Sequence, residues 1–355
     1  MRTLFTLLAA SMSFTALAAA RFGTPAPRPQ TSTAAPARAD SLGWANEKMP
    51  PGMRKGEQPN EYIWEKDGSV MLYVAAGDFS MGRDWTIAHE MPVHTVRLGA
   101  YYIDKYEVRR GAFKRFADAA GYKTTAEQKG VGKVVGPQGL GEVKGKSWRD
   151  PGFEQDDNHP VVLVSWDDAK AYAAWVGKSL PTEAEWEKAA TWDESAPADK
   201  KKRLHPWGNN AAAGRDSGLA IPILVGNFAD VNYGALMPAG VQKDYIMAPH
   251  FAGQYDDGYV YTAPVGKFLR GKSPYGVLDM EGNVWEWCED GYDPNFYSRP
   301  AVPNPVNNDG SKGRVARGCA YDEPATTPWP STFRVFFPAG ESFSSVGFRC
   351  VVRAP

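Results

Sequence analysis

Cysteine is scarce in this 355-residue chain, which carries only Cys288, Cys319 and Cys350. Three thiols allow at most one internal disulfide, so a disulfide-built scaffold is excluded. Their spacing also fails to match a structural zinc site. Histidine is limited to His89, His94, His159, His205 and His250, with no short metal-ligand spacing among them. Glu90, next to His89, reads as part of a solvated loop. The formal net charge is −1, so no overall pull toward nucleic acid or acidic lipid is built in. No phosphate loop, nucleophile elbow or dinucleotide fingerprint occurs. Beyond residue 20 no run is long and apolar enough to span a bilayer.

The composition itself is that of a globular protein, with 43% hydrophobic and 23% charged residues, enough apolar material for a core. The N-terminus reads as a secretory signal over residues 1–20. Arg2 supplies the positive start, an apolar run extends from Leu4 to Leu17, and Ala18 and Ala20 form a small-residue cleavage site before Arg21. No cysteine follows the run, which argues against a lipoprotein. The expectation is a bacterial periplasmic or secreted protein with no membrane span once the signal is removed. Residues 21–66 are read as a flexible Ala/Pro-rich linker and lead-in, and residues 67–355 as one domain, with order beginning near Ser69.

Val70, Leu72 and Val74 alternate as in a strand, and a second extended run covers 95–106. Ala112, Phe113, Phe116 and Ala120 recur at helical spacing before Gly121, which predicts a helix over 108–120. Residues 122–158 are glycine-rich and read as a long irregular loop. Ser165 and Asp168 form one capping box and Thr182 and Glu185 another, so two short helices flank the turn at 177–181. From Leu204 onward Gly, Pro, Asn and aromatics are dense, which predicts short strands and ordered loops. Loops of that length need something to fix them, such as a metal, a disulfide or aromatic packing.

Four blocks stand out. The first runs from His159 through "VSWDDAKAYAAW" to "GKSLPTEAEWE", ending at Glu187. The second is "PWGN" at 206–209. The third is "YTAPV" at 261–265 followed by "YGVLDMEGNVWEW" at 275–287. The fourth is "RVARG" at 314–318, closing with "GFR" at 347–349. In this order and spacing they resemble the formylglycine-generating-enzyme, or sulfatase-modifying-factor, family from about Met71 to the C-terminus. The resemblance implies an α+β fold of the C-type-lectin type. Such a fold has little regular secondary structure, a small twisted antiparallel sheet, a few short helices, and loops pinned by structural calcium.

Carried over residue by residue, the resemblance implies two calcium sites. One uses the Asn227 side chain, the Phe228 carbonyl, the Asp257 side chain and the Tyr259 carbonyl. The other uses the Asp279 and Glu286 side chains with the Gly282 and Val284 carbonyls. Hard oxygens from loops are what calcium takes. Without the resemblance, Asp257 and Asp279 read as turn residues and Glu286 as a surface charge. The resemblance also implies a reaction centre of two copper-binding cysteines, and here the chain departs. Glu323 stands at the first of those positions, Ala320 replaces the supporting serine, and no cysteine lies between Cys319 and Cys350. Thiolates suit Cu(I) and carboxylates do not, so no copper is expected. Cys319 is expected to pack on the strand, its side chain opposite that of Ala320. The helix position that often pairs with the last cysteine is Ala173. The residues leave open whether Cys350 pairs with Cys288, pairs with Cys319, or stays free.

The functional expectation is therefore a formylglycine-generating-enzyme-like protein without its copper pair. Glu323 is the candidate acid–base group, with Tyr321, Trp329, Phe333 and Trp285 as a candidate substrate groove, acting in the modification or maturation of a peptide-derived substrate. The alternative is an inactive lectin-fold module that binds a peptide, glycan or partner protein. Formylglycine generation on sulfatases is the reading the missing thiols disfavour.

Overall fold

The structure, a computed structural model, describes residues 49–84, 88–136, 139–209, 224–237, 256–323 and 329–355. The signal reading, most of the linker reading and His250 lie outside them. No helix among the described residues is long and apolar enough to cross a membrane.

Order begins earlier than Ser69. Strands β1 (Met53–Lys55) and β2 (Glu61–Trp64) form the outer part of a five-stranded antiparallel sheet in the order β1-β2-β3-β6-β13. Here β3 is Ser69–Val74, β6 is Tyr101–Asp104 and β13 is Val351–Arg353. The physical reason is aromatic. Tyr62 and Trp64 pack with Met53, Met71 and Tyr102 on one face of the sheet, and Trp64 Nε1 donates to the Val176 carbonyl at 2.7 Å. The opposite face, with Leu72, Val74, Tyr101, Ile103 and Val351, belongs to a second core shared with Ala184, Trp186, Ala189 and Ala190. Both faces being covered explains why β6 is buried throughout.

Strands β4 (Gly77–Met81) and β5 (His94–Leu98) form a separate hairpin. Helix α1 spans Arg110–Ala120 and ends on Gly121, which takes the left-handed conformation expected of a C-cap. The glycine-rich stretch is not irregular. It holds helix α2 (Thr125–Lys129) and the hairpin of β7 (Val131–Gly136) and β8 (Gly139–Lys144). Thr124 and Glu127 make a full capping box there, a signal overlooked because the helix is too short to show periodicity.

The two capping boxes that sequence identified are both formed. They start α3 (Trp166–Val176) and α4 (Glu183–Thr191). Every residue of α4 is buried, its charges included. A short α5 (Val231–Ala235) is capped by Asp230. The second sheet has the order β11-β10-β9-β12, from β9 (Trp285–Gly291), β10 (Arg314–Arg317), β11 (Val335–Phe337) and β12 (Val346–Gly347), with only β12 parallel to its neighbour. The main core lies between this sheet and helices α1 and α3, around Phe113, Phe116, Tyr172, Trp287 and Phe348.

All three cysteines are free and buried, and burial pushes each thiol well above its usual range. Native protein should therefore take up no thiol reagent at neutral pH, and denatured protein three equivalents. Fast labelling of the native protein would overturn this placement.

Candidate functional site

Strand β10 ends at Arg317, and the chain then turns sharply at Gly318 (φ 105°). A Cβ at Gly318 would lie 2.9 Å from the Met280 carbonyl oxygen and 3.1 Å from the Trp186 ring, so only glycine fits. Cys319 follows with φ 74°, in the left-handed region. It is therefore not on a strand, and strand alternation does not apply: Cys319 and Ala320 are both buried in the same core. Two backbone bonds pin this turn to the 279–286 loop. Gly282 N donates to Gly318 O at 2.9 Å, and Tyr321 N donates to Asn283 O at 3.1 Å.

Glu323 sits at the end of the turn, half-buried. Its amide donates to Ala320 O (3.1 Å), its carbonyl accepts from Ala229 N (2.9 Å), and its carboxylate accepts from Trp329 Nε1 (3.1 Å). Burial raises the Glu323 pKa. Asp322 beside it is pushed up to about 7, by burial first and by Glu323 second, and one of its oxygens has no partner among the described residues. Burial thus pushes both neighbouring carboxyls toward their neutral forms, and the Glu323 charge pushes Asp322 further. Burial first, and then the Glu323 and Glu281 charges, push the Cys319 thiol well up.

Three of the four expected groove residues come together. Trp329 stacks on Phe333 (centroids 4.2 Å apart), and Phe333 contacts Trp285 (6.2 Å). Tyr321 does not join them. It is fully buried in another cluster with Phe153, Tyr233 and Tyr261, and its hydroxyl donates to Val135 O (3.2 Å). It packs the base of the loop and lines no groove.

Sequence reasoning missed a polar layer behind this site. His205 Nδ1 lies 2.8 Å from Glu281, and Ser331 Oγ donates to the other Glu281 oxygen at 2.5 Å. Glu90 is fully buried rather than solvated, accepting from Thr332 Oγ1 at 2.7 Å. The "PWGN" block could have pointed to His205, since Trp207 stacks on its ring (5.0 Å). Glu90 gives no local signal, because its partner is 242 residues away.

The residues that the resemblance assigns to calcium are mostly buried, not surface turns. In the first set, Asp257 accepts from the Phe228 and Tyr259 amides at 2.9 Å each. Asn227 Nδ2 donates to Tyr261 O (2.7 Å), while its Oδ1 has no partner among the described residues. Burial and the neighbouring Asp230 push Asp257 up to about 8. A buried carboxyl with no ion pair among the described residues, near an unpartnered amide oxygen, suits a hard cation. In the second set, Glu286 is not a surface charge. Its oxygens accept from Arg349 Nε and Nη2 at 2.6 Å each and from Trp186 Nε1 at 2.9 Å. Asp279 instead shares its surroundings with Glu107, which keeps one oxygen without a partner. Burial pushes Asp279 and Glu107 up although the Arg349 charge opposes it, and neither is bonded to that guanidinium as Glu286 is. Among the described residues no cluster of three or more acidic, His or Cys side chains is placed to hold an ion, so backbone carbonyls would complete either set.

With this geometry in hand, the relatives are informative. The sulfatase-modifying factor enzyme 1-like domain family matches residues 59–354. The chain is 32% identical over 310 residues to the formylglycine-generating enzyme of Streptomyces coelicolor, spanning 80% of this chain and 88% of the relative. To the mouse formylglycine-generating enzyme it is 30% identical over 352 residues, spanning 91% and 84%. A bovine relative named inactive C-alpha-formylglycine-generating enzyme 2 is 30% identical over 246 residues, spanning 62% and 71%. Among solved structures, PvdO from Pseudomonas aeruginosa has a similar fold, with a TM-score of 0.59 at 24% identity over 84% of this chain and 100% of that one. The helices, sheets and long pinned loops are the α+β, C-type-lectin-like architecture expected. The chain belongs to the sulfatase-modifying-factor, or formylglycine-generating-enzyme, family.

Proposed function

We propose that this protein is an exported member of its family that works without copper thiolates, moving protons on a peptide-derived substrate at Asp322 and Glu323. The observation that carries the reading is the geometry of two adjacent, half-buried carboxyls at the turn, Glu323 held by the Trp329 N–H at 3.1 Å, with burial pushing both toward their protonated forms. A carboxyl pair of this kind can donate a proton to one substrate atom and accept one from another. A copper centre needs soft thiolates. Cys319, the one thiol near the turn, is buried and held protonated. The stacked pair Trp329 and Phe333 is only partly buried and offers an aromatic wall for a substrate. Calcium, in this reading, is structural: Asn227 and Asp257 side chains with the Phe228 and Tyr259 carbonyls would hold it, and it would fix the loops that carry Glu323. It supplies charge balance and no chemistry.

Two measurements test this. The first is pH dependence of stability. The Asp322 pKa in the folded state is raised to about 7 from an ordinary 3.8. The native state thus binds more protons than the unfolded state between those values, and stability falls as pH rises from about 4 to about 7. Asp257 at about 8 and Asp290 at about 7 slope the same way, so Asp322→Asn should remove only its share and flatten the curve, making the variant more stable than wild type at pH 8 by on the order of 2 kcal/mol. Parallel slopes in the two proteins would contradict the raised Asp322 pKa. The second is turnover. Wild-type protein incubated with the exported peptide fraction of its host should change the mass or retention of a peptide, and Glu323→Gln should not. A sulfatase-type cysteine peptide with copper, reductant and oxygen should gain no aldehyde. Peptide capture without any change, equal in wild type and Glu323→Gln, would instead support a binding module, the use to which the aromatic wall alone would be suited.

A further inference from the structure

A cavity of ≈ 200 Å³ opens beside the first turn of α1, between that helix and strands β3 and β6. Its apolar part includes Val70, Val108 and Ala112, and two guanidinium-bearing residues, Arg109 and Arg115, line it with Asn158. None of the family motifs passes through this pair, and the site proposed above does not use it.

The charge pattern around the cavity is uneven. Of its buried carboxyls, Glu107 accepts from Asn283 Nδ2 at 2.9 Å, keeps its other oxygen without a partner among the described residues, and is pushed by burial toward its neutral form. The other two are served by a lysine. Asp67 and Asp104 flank Lys178 Nζ at 3.0 and 2.7 Å. At the rim, Asp157 faces Arg110 at 3.5 Å. The two arginines are not served in return. Arg115 donates only to carbonyls, Asp67 O at 3.0 Å and Gly111 O at 3.4 Å. Arg109 lies over the Tyr106 ring, 5.3 Å from its centroid. Among the described residues neither has a carboxylate within salt-bridge distance. A guanidinium presents five donors in a planar fork that matches a carboxylate, and both arginines are exposed, so most of these donors face solvent and are open to a ligand. The α1 N-terminus adds a partial positive charge at the same place. Its first amides are already bonded to the His159, Asp157 and Arg109 carbonyls, so the helix contributes field and not hydrogen bonds.

We infer that this cavity binds a carboxylate, gripped by Arg109 and Arg115 with its aliphatic stem against Val70, Val108 and Ala112. The carboxylate is either that of a short free acid or that of an acidic peptide side chain, and the two sources share one chemistry. The inference stands apart from the acid–base reading, because it involves none of the residues near Glu323.

Calorimetric titration of the full chain at low ionic strength tests it. The probes are succinate, neutral succinamide, putrescine, and a blocked tripeptide with one aspartate. Succinate or the aspartate peptide should bind saturably, with succinamide and putrescine silent. Arg109→Gln should weaken binding about tenfold, as expected for loss of a charge-assisted contact, and the Arg109→Gln/Arg115→Gln pair should abolish it. Arg109 is exposed, so its single variant should keep the wild-type melting temperature and separate lost binding from lost folding. Binding of the peptide alone identifies a peptide side chain as the ligand, and binding of both shows that a free acid suffices. No saturable heat with either acid, unchanged affinity in the double variant, or preference for the diamine would each overturn the inference.

Discussion

Replacing Arg349 with methionine is expected to destabilise the fold by about 3–5 kcal/mol, the usual result of stripping one partner from a buried ion pair. Arg349 is fully buried and serves several groups at once. Its guanidinium makes two 2.6 Å bonds to Glu286 and donates to the carbonyls of Asp104 (3.0 Å) and Leu278 (2.9 Å). Those carbonyls belong to β6 of the five-stranded sheet and to the 279–286 loop's approach, while Glu286 belongs to β9 of the other sheet. One side chain thus ties the two sheets to the loop under the candidate site. Without it, Glu286 keeps only the Trp186 N–H at 2.9 Å and faces Asp279 and Glu107 with no neighbouring cation. For a domain of this size the melting temperature should fall by about 10 °C. The double variant Arg349→Met/Glu286→Gln should recover much of the loss, because it removes the stranded charge along with its partner. If the double variant is no more stable than the single one, the cost comes from packing, and the electrostatic account is wrong.

The same buried pairing explains which parts of the sequence were legible. Local devices could be read directly: Ser165 with Asp168, Thr182 with Glu185, and Gly121 and Gly177 as left-handed caps all depend on neighbours a few residues away. Long motifs pointed to the family. What stayed hidden is the reason those motifs hold charged residues. In "LPTEAEWE", Glu183 accepts from Arg334 (2.6 and 2.8 Å) and Arg317 (2.8 Å), and Glu187 accepts from Arg317 (2.5 Å) and Lys202 (2.9 Å). Burial opposes ionisation of Glu187, yet Lys202 and Arg317 hold it at about 2. Amphipathic periodicity would place such acids in solvent, but α4 is buried on every side and its charges are neutralised from distant segments. The site was legible in the same proportion. Glu323 and the Trp329–Phe333–Trp285 contact followed from motif position. Asp322, His205 and Glu281 did not, since their partners or shifted pKa values arise only when the turn at Gly318 folds against the 279–286 loop. Tyr321 was misplaced because an aromatic near a reactive loop cannot be told from core by sequence alone.

Removing calcium should lower stability through the first ligand set, and this is the prediction on which the structural role of the ion rests. Asp257 is buried with Asp230 close by, and among the described residues no cationic side chain pairs with it and Asn227 Oδ1 has no partner. Each of these is unfavourable alone: a buried acid is forced toward its neutral form, and an orphaned buried oxygen costs about 1–3 kcal/mol. A bound calcium ion would relieve both, and the Phe228 and Tyr259 carbonyls would supply further hard oxygens. The Ala229 amide next to Phe228 donates to the Glu323 carbonyl at 2.9 Å, so the ion would steady the chain that carries the acid pair. At a hundredfold excess over its dissociation constant, a ligand specific for the native state adds about 2.7 kcal/mol. Chelator should therefore lower the melting temperature by about 5–10 °C at this size. Asp257→Asn should abolish most of that response. In chelator the same variant should fall short of wild type by much less than in calcium. The amide carries no charge to desolvate and relieves Asp230 of a like charge, which offsets the loss of one of the two acceptors for the Phe228 and Tyr259 amides. That difference separates an ion site from a merely structural carboxylate. A structural Asp257 would make the variant weaker by the same amount with and without chelator. A melting curve indifferent to chelator, together with no calcium in elemental analysis of the purified protein, would remove the ion from the account altogether.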